Sequence, residues 1–366
     1  NDLNIDHQIC YNATLIACRP INNQIKIVSF EVPSSTEWNY PVVFNPNYFV
    51  NISKEITSKN NGVHHETLKK YVDTLDKYGL ILIISQKPFR AKVFCNILLN
   101  NILVYFGYKH SVITEEAKDY AIIIKKELVK FNRLRKQDEL KYQRIINEFE
   151  ISFVHHSLAL EGNPITLQQT REILKQKVIP ANLRSEDVLE VQNYQKAILQ
   201  MIEDVKKRHP LTTETILDYH KLAMQHHLKF AGKIRTSEVY IKGNPDFKVA
   251  KAKDIRKKLN SLLEKYNKFN KQKKTPLKEI LAFATYFHNE FQYIHPFIDG
   301  NSRTTRLITF HLLQSKRIPI IDIPFGLLDE YLSYTKGSKK RDDKKLYQNL
   351  QKTILYNLKK INNRLS

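Results

Sequence analysis

Between His295 and Arg306 the chain reads His-Pro-Phe-Ile-Asp-Gly-Asn-Ser-Arg-Thr-Thr-Arg, a run whose residue types suit chemistry on a phosphate ester. Arg303 and Arg306 stand three apart, hence on one face of any helix they share, and each can grip phosphate oxygens through paired N–H groups. Gly300 lets the backbone come close to a ligand. Asp299 is an odd neighbour for an anion unless a Mg²⁺ lies between them. His295 opens the run, and histidine is the side chain whose ordinary titration range suits a general base. The combination points to a polyphosphate substrate and a proton-abstracting step.

Helices must hold this run in place. Thr275-Pro276 gives a helix start, a capping hydroxyl followed by proline in the first turn. Leu277, Ile280, Leu281, Ala284, Phe287, Phe291 and Ile294 then recur at the spacing of one buried helix face. Pro296, Gly300 and Asn301 form a turn, after which Leu307, Phe310 and Leu313 begin a second apolar stripe that runs out near Pro319. The N-terminus of that second helix presents unpaired N–H groups and a partial positive charge, an anion site.

Upstream, Ser157 and Glu161 are four apart on one helix face, and Gly162-Asn163-Pro164 ends that helix. Thr166 to Gln169 is a capping box, Ser185 precedes a helix running to about Lys207, and Pro210 and Thr212 begin another that carries His220. From Gly232 to Phe247, Val239 and Ile241 alternate around Tyr240 and Gly243-Asn244-Pro245 follows, a β-hairpin signal.

The run at 295–306 resembles the signature of the Fic family, HPFx(D/E)GN(G/K)RxxR, at nearly every position. The resemblance implies a helical bundle that moves AMP from ATP onto a Tyr, Ser or Thr hydroxyl of a target protein, with Mg²⁺. By position, His295 would deprotonate the hydroxyl, Asp299 would hold the metal, and Phe297 would anchor the loop. Gly300, Asn301, Ser302 and Arg303 would line the nucleotide's anion pocket, and Arg306 would reach the γ-phosphate. Ser302 departs from the signature's Gly or Lys: its N–H still donates, but its Cβ crowds a phosphate. Ser157-Leu-Ala-Leu-Glu161-Gly162 is similar to the family's inhibitory motif, (S/T)xxxE(G/N), placed ahead of the core as in one subclass. Glu161 would then pair with Arg306 and occupy the γ-phosphate's place. The hairpin at Val239, Tyr240 and Ile241 would be the flap that docks a target strand. The resemblance covers about residues 150 to 329. An alternative is removal of AMP from a modified target, with Glu161 orienting water. The chain itself is a candidate target, with Tyr347 a candidate acceptor, and a homodimer is open.

Composition sets wider bounds. At 366 residues, 42% of them hydrophobic, with 19 Tyr and 18 Phe, the chain is globular and long enough for two cores. Cys95 to Tyr108 comes nearest to a membrane span and is interrupted by Asn96, Asn100 and Asn101. With only three Cys, a disulfide framework is out and a reducing, cytoplasmic location is expected. Asn1 in place of Met leaves room for removed or preceding residues. The net charge of +22 is compatible with nucleic acid as a partner, although the lysines are scattered.

The expected organisation is mainly α, in four parts. Residues 1–113 form a smaller α+β domain with weak strands at Ile25–Phe30 and Pro41–Phe44. In it, residues 52–85 read as helix, turn, helix stopped at Gly79, then strand at Leu80–Ser85. That order resembles a winged helix and makes a DNA-binding regulator the rival reading. Residues 114–149 read as a charged helical linker, 150–330 as the Fic-type bundle, and 331–366 as a basic helical tail.

Overall fold

The computed structural model describes residues 15–21, 24–30, 42–44, 65–86, 89–93, 119–241, 244, 246–319, 322–335 and 342–366. It divides into two compact units, one of residues 1–118 with Pro324–Asp329, the other of 119–323 with 330–366.

In the first unit, β1 (Leu15–Ile21), β2 (Gln24–Phe30) and β3 (Val42–Phe44) form an antiparallel sheet in that order. β1 was not legible in the sequence; it pairs with β2 in the register Leu15 to Phe30. Helix α1 (His65–Lys77) ends where Gly79 turns left-handed at φ 68°, with the Leu80 N–H returning to the Leu75 carbonyl at 2.9 Å. Strand β4 (Ile81–Gln86) then pairs antiparallel with β5 (Phe89–Val93). Val72 and Leu75 of α1 and Leu80, Ile81 and Leu82 are buried. The expected helix, glycine stop and strand are therefore present, while the helix expected from Ile52 lies outside the described residues.

The second unit is helical: α2 (Ala121–Leu134), α3 (Glu139–Ala159), α4 (Leu167–Arg171), α5 (Ser185–Lys207), α6 (Thr213–Ala223), α7 (Ile255–Asn270), α8 (Leu277–Ile294) and α9 (Asn301–Ser315). α10 (Phe325–Tyr334) crosses the division between the units, and α11 (Asp343–Leu365) closes the chain. The capping box at Thr166 and Gln169 is formed, and Thr212 caps α6 through its hydroxyl. Thr275 does not cap α8, because its hydroxyl turns back to the Gln272 carbonyl at 3.4 Å and Pro276 takes the cap position.

The expected linker and tail are parts of this bundle. α2 and α11 pack together, and α11 also packs on α8 and α3. Ile124 and Phe131 of α2 and Ile354, Leu355, Leu358 and Ile361 of α11 are buried. Asn362 donates to the Glu127 carbonyl at 3.0 Å, and Lys359 pairs with the Glu127 carboxylate at 2.7 Å. The many lysines hid this: their long stems flank an apolar stripe and read as a solvated face.

α9 is the centre. It packs on α8, α5, α6 and α3, and every residue from Asn301 to Leu313 is buried, so it has no solvent face. An apolar stripe alone could not explain that. The threonines make it feasible by bonding their hydroxyls to carbonyls one turn back: Thr304 to Gly300 at 2.9 Å, Thr305 to Asn301 at 2.7 Å and Thr309 to Thr305 at 2.7 Å. His311 takes the Tyr266 hydroxyl at 2.6 Å.

Candidate active site

The loop from His295 to Gly300 joins α8 to α9, and its own residues set its shape. His295 caps α8 in a left-handed conformation, φ 48° and ψ 61°, with its N–H on the Phe291 carbonyl at 2.9 Å. Its Nδ1 lies 3.2 Å from the Gln292 carbonyl, a bond that only a protonated Nδ1 can donate. That tautomer puts the basic lone pair on Nε2. Phe297 is fully buried, as its anchoring role requires, and stacks on the His220 ring with centroids 3.6 Å apart.

His220 is a support that the sequence did not single out. Its Nδ1 accepts from the Gly232 N–H at 2.8 Å and its Nε2 donates to the Asp299 carbonyl at 2.9 Å, which fixes the neutral tautomer. Burial pushes its pKa down to about 4. Gly300 is required beside it. At φ 77° the chain is left-handed, and a Cβ there would stand 2.8 Å from Met224 Sδ and 3.0 Å from His220 Nε2.

Asn301 has a different part from the one expected. Its Oδ1 accepts from the Phe297 N–H at 2.9 Å and its Nδ2 donates to the Phe297 carbonyl at 2.8 Å, so the side chain braces the loop. Its main-chain N–H lies in the first turn of α9 with that of Ser302, where neither has an acceptor within the helix.

Both arginines are buried at this helix start. Arg303 Nη2 donates to Asp299 Oδ2 at 3.0 Å, and its Nη1 donates to Glu190 Oε1. Its Nε has no partner among the described residues. Glu190 comes from α5 and was missed; its other oxygen accepts from Asn163 Nδ2 at 2.7 Å. Arg306 donates from Nη1 and from Nη2 to Glu161 Oε1, each at 3.1 Å. Its Nε donates to Ser157 Oγ at 2.5 Å and its Nη2 to the Ser157 carbonyl at 2.7 Å. Ser157 in turn donates to the Tyr194 hydroxyl at 2.9 Å. Burial opposes the charge of Arg306, and the Glu161 carboxylate together with Tyr331 and Tyr194 outweighs it, so its pKa stands above the ordinary arginine value. The structure thus brings Ser157, Glu161, Asp299, Arg303 and Arg306 together around one helix start, with His295 at the loop's entry.

The hairpin expected at 232–247 differs. No strand is assigned among its described residues; Lys242, Gly243 and Pro245 of the turn lie outside them. Tyr240 points out at 82% exposure while Ile241 is buried and Val239 half-buried, so the sides alternate as in a strand but no ladder forms. The segment is tied to the end of α8 and the loop after it instead, with the Arg235 N–H on the Pro296 carbonyl at 2.9 Å and the Ala250 N–H on the Tyr293 carbonyl at 2.9 Å. Tyr347 on α11 is half-buried.

The bundle's central buried helix thus starts at a braced glycine turn, with two arginines and a histidine at its mouth. Residues 210–313 match the model of the Fic/DOC family, and a Fic domain occupies this part of the chain. Named relatives include the protein adenylyltransferase Fic of Nematostella vectensis, 28% identical over 207 residues, covering 56% of this chain and 46% of that protein. That of Drosophila persimilis is 25% identical over 201 residues, covering 55% and 38%. The chain thus spans less than half the length of these relatives. A Fic domain containing signaling protein of Bacteroides thetaiotaomicron superposes with a TM-score of 0.58 at 21% identity, covering 66% of this chain and 96% of that one. Fic-1 of C. elegans does so with 0.55 at 22%, covering 66% and 72%. At these identities the solved structures speak for the fold. Among the described residues, no helix is long and apolar enough to cross a membrane.

Proposed function

We propose that this protein is a Mg²⁺-dependent protein adenylyltransferase held in an inhibited state, of the subclass with the inhibitory helix ahead of the Fic core. The observation that carries this reading is the buried Arg306 of α9, gripped by Ser157 of α3 and by Glu161 in the turn that follows α3. The relatives' printed names support the reaction.

In that reaction a target hydroxyl attacks the α-phosphorus of ATP, its proton passes to His295 Nε2, and the bond to pyrophosphate breaks. Arg303 and the first N–H groups of α9 stabilise charge on the phosphates. Asp299 suits a Mg²⁺ shared with those phosphates: its carboxylate is half-exposed and sits at the helix start. Among the described residues no group of three or more His, Cys, Asp or Glu converges on a metal, so phosphate and water would complete the shell. That ion would neutralise charge on the phosphates. The run Val239–Tyr240–Ile241, with Tyr240 exposed between Val239 and the buried Ile241, would be the segment on which a target strand pairs.

Incubating the full chain, as parent and as Glu161→Gly, with α-labelled ATP, Mg²⁺ and cell lysate tests this. Label should appear on protein bands in the variant and need His295. An unlabelled protein fraction would refute the transferase reading, and loss of AMP from pre-labelled bands would assign the reverse reaction.

A further inference from the structure

Arg235 is 2% exposed, and each end of its guanidinium donates to a carbonyl. Nε donates to the His295 carbonyl at 2.7 Å, Nη1 to Ser237 at 2.7 Å and Nη2 to Ala250 at 2.5 Å. Its own N–H reaches the Pro296 carbonyl at 2.9 Å, and the Ala250 N–H reaches Tyr293 at 2.9 Å. The carbonyls of Tyr293, His295 and Pro296 are therefore each bonded to Arg235 or to Ala250. The ion pair it makes with Glu238 is long, at 3.7 Å, and its carboxylate is more than half exposed, so the pair is weak beside the three carbonyl bonds. What the site uses is a rigid planar fork that reaches three carbonyls at once, which an ammonium cannot reproduce.

One of those carbonyls belongs to His295, which holds a left-handed backbone that non-glycine residues rarely adopt. The other two lie at either end of the segment 237–250. A single buried side chain therefore fixes the peptide that aims the imidazole and both legs of the extended run carrying Tyr240.

We propose that Arg235 is a positioning residue that sets the His295 imidazole in register with the target-docking segment, an inference that rests on the adenylyltransferase reading above. Arg235 touches neither nucleotide nor acceptor. Its loss lets the His295 peptide and the docking segment move independently, so the base misses the acceptor hydroxyl while ATP still binds on α9. Misplacement by about an ångström costs on the order of 100-fold in rate.

The test uses the full chain in the Glu161→Gly background, with Arg235→Ala and Arg235→Lys. Nucleotide affinity is measured by ATP titration, and transfer by labelled AMP incorporation at saturating ATP, each normalised to the folded fraction from thermal unfolding. For both variants the expected result is a transfer rate lowered by roughly 100-fold with ATP affinity within about threefold. Millimolar guanidinium should restore part of the rate in Arg235→Ala and none in His295→Ala. Transfer at the background rate would overturn the proposal, and so would loss of ATP affinity in proportion to rate, the mark of a general support of the fold. If Arg235→Ala does not fold, Arg235→Lys decides by the same two measurements. If Glu161→Gly itself incorporates no AMP, it is the adenylyltransferase reading that fails.

Discussion

A single carboxylate oxygen of Glu161 accepts from both terminal nitrogens of Arg306 at 3.1 Å, and Ser157 takes the Nε and a further N–H of the same guanidinium. The side chains are only 2% and 16% exposed, so little water screens the pair. A phosphate approaching Arg306 meets a carboxylate where its own oxygens should bind. Like charges about 4 Å apart repel by about 4 kcal/mol at an effective dielectric of 20. Glu161→Gly should therefore raise AMP incorporation by at least about tenfold. Glu161 lies in the turn after α3, but its loss leaves the buried Arg306 guanidinium without its counter-charge, so thermal unfolding should also move to lower temperature, and labelling is compared per folded protein. Side-by-side labelling of parent and variant checks this, and equal labelling would sink the inhibitory assignment.

His295→Ala should lower transfer by about 10² to 10⁴-fold, the usual loss of a general base. Its carbonyl and N–H bonds survive the substitution, since both are main-chain. ATP affinity should consequently stay near that of the parent. Single-turnover labelling beside an ATP titration separates the two, and an unchanged rate would remove His295 from the mechanism.

The loop from His295 to Gly300 was readable as a turn between two helices because its residues sit next to each other in sequence and its turn chemistry is local. Ser157 and Glu161 were readable as a pair four apart, although α3 ends at Ala159 and Glu161 stands in the turn after it. Glu190, His220 and Arg235 were not, because each acts on the loop from another element: Glu190 on Arg303, His220 on Asp299, and Arg235 on His295. Their local contexts look ordinary. Glu190 reads as one more charge on an amphipathic helix, and His220 as a histidine in a helix's last turn. The burial of α9 on every side was hidden for a related reason. Threonine and arginine read as polar until their hydroxyls are seen bonded within the helix and their guanidinium groups to other elements. Asn301 shows the limit of adjacency, since it lies in the loop yet spends its side chain on Phe297.

Glu190 offers a separate test of the anion site. It holds Arg303 with one oxygen and Asn163 with the other. Glu190→Ala leaves a buried guanidinium without that counter-charge, and breaking such pairs costs about 3–5 kcal/mol when fully buried. With Glu190 at 14% exposure the loss should reach the lower part of that range. ATP affinity should fall by about tenfold or more as Arg303 loses its orientation. Glu190→Gln, which keeps an acceptor oxygen, should lose less of both. Thermal unfolding with nucleotide titration reads the two effects, and an alanine variant with parental values in both would show that Glu190 does not set Arg303.

The last prediction concerns acid. His220 is held neutral by burial, with a folded pKa of about 4 against 6.5 for the free side chain. Between those values the unfolded chain binds a proton that the folded chain does not. Stability from this group is therefore complete above pH 6.5 and is lost as pH falls toward 4. The shift corresponds to an order of 3 kcal/mol. His311 is displaced in the same direction by its own burial, whereas Glu150, raised to about 7 by burial, works in the opposite sense. His220→Gln removes one titrating group and keeps a donor that can reach the Asp299 carbonyl. At pH 7 the variant should be less stable, through loss of the Phe297 stack, and the gap should narrow as pH falls to 4.5. Denaturant unfolding at pH 4.5, 5.5, 6.5 and 7.5 measures this, with the variant's slope lower by up to one proton. ATP affinity should follow, because a protonated His220 still donates to the Asp299 carbonyl but no longer accepts from the Gly232 N–H, so the ring that supports the loop loses its own anchor. A gap that stays constant across that range would show that His220 does not carry the acid sensitivity.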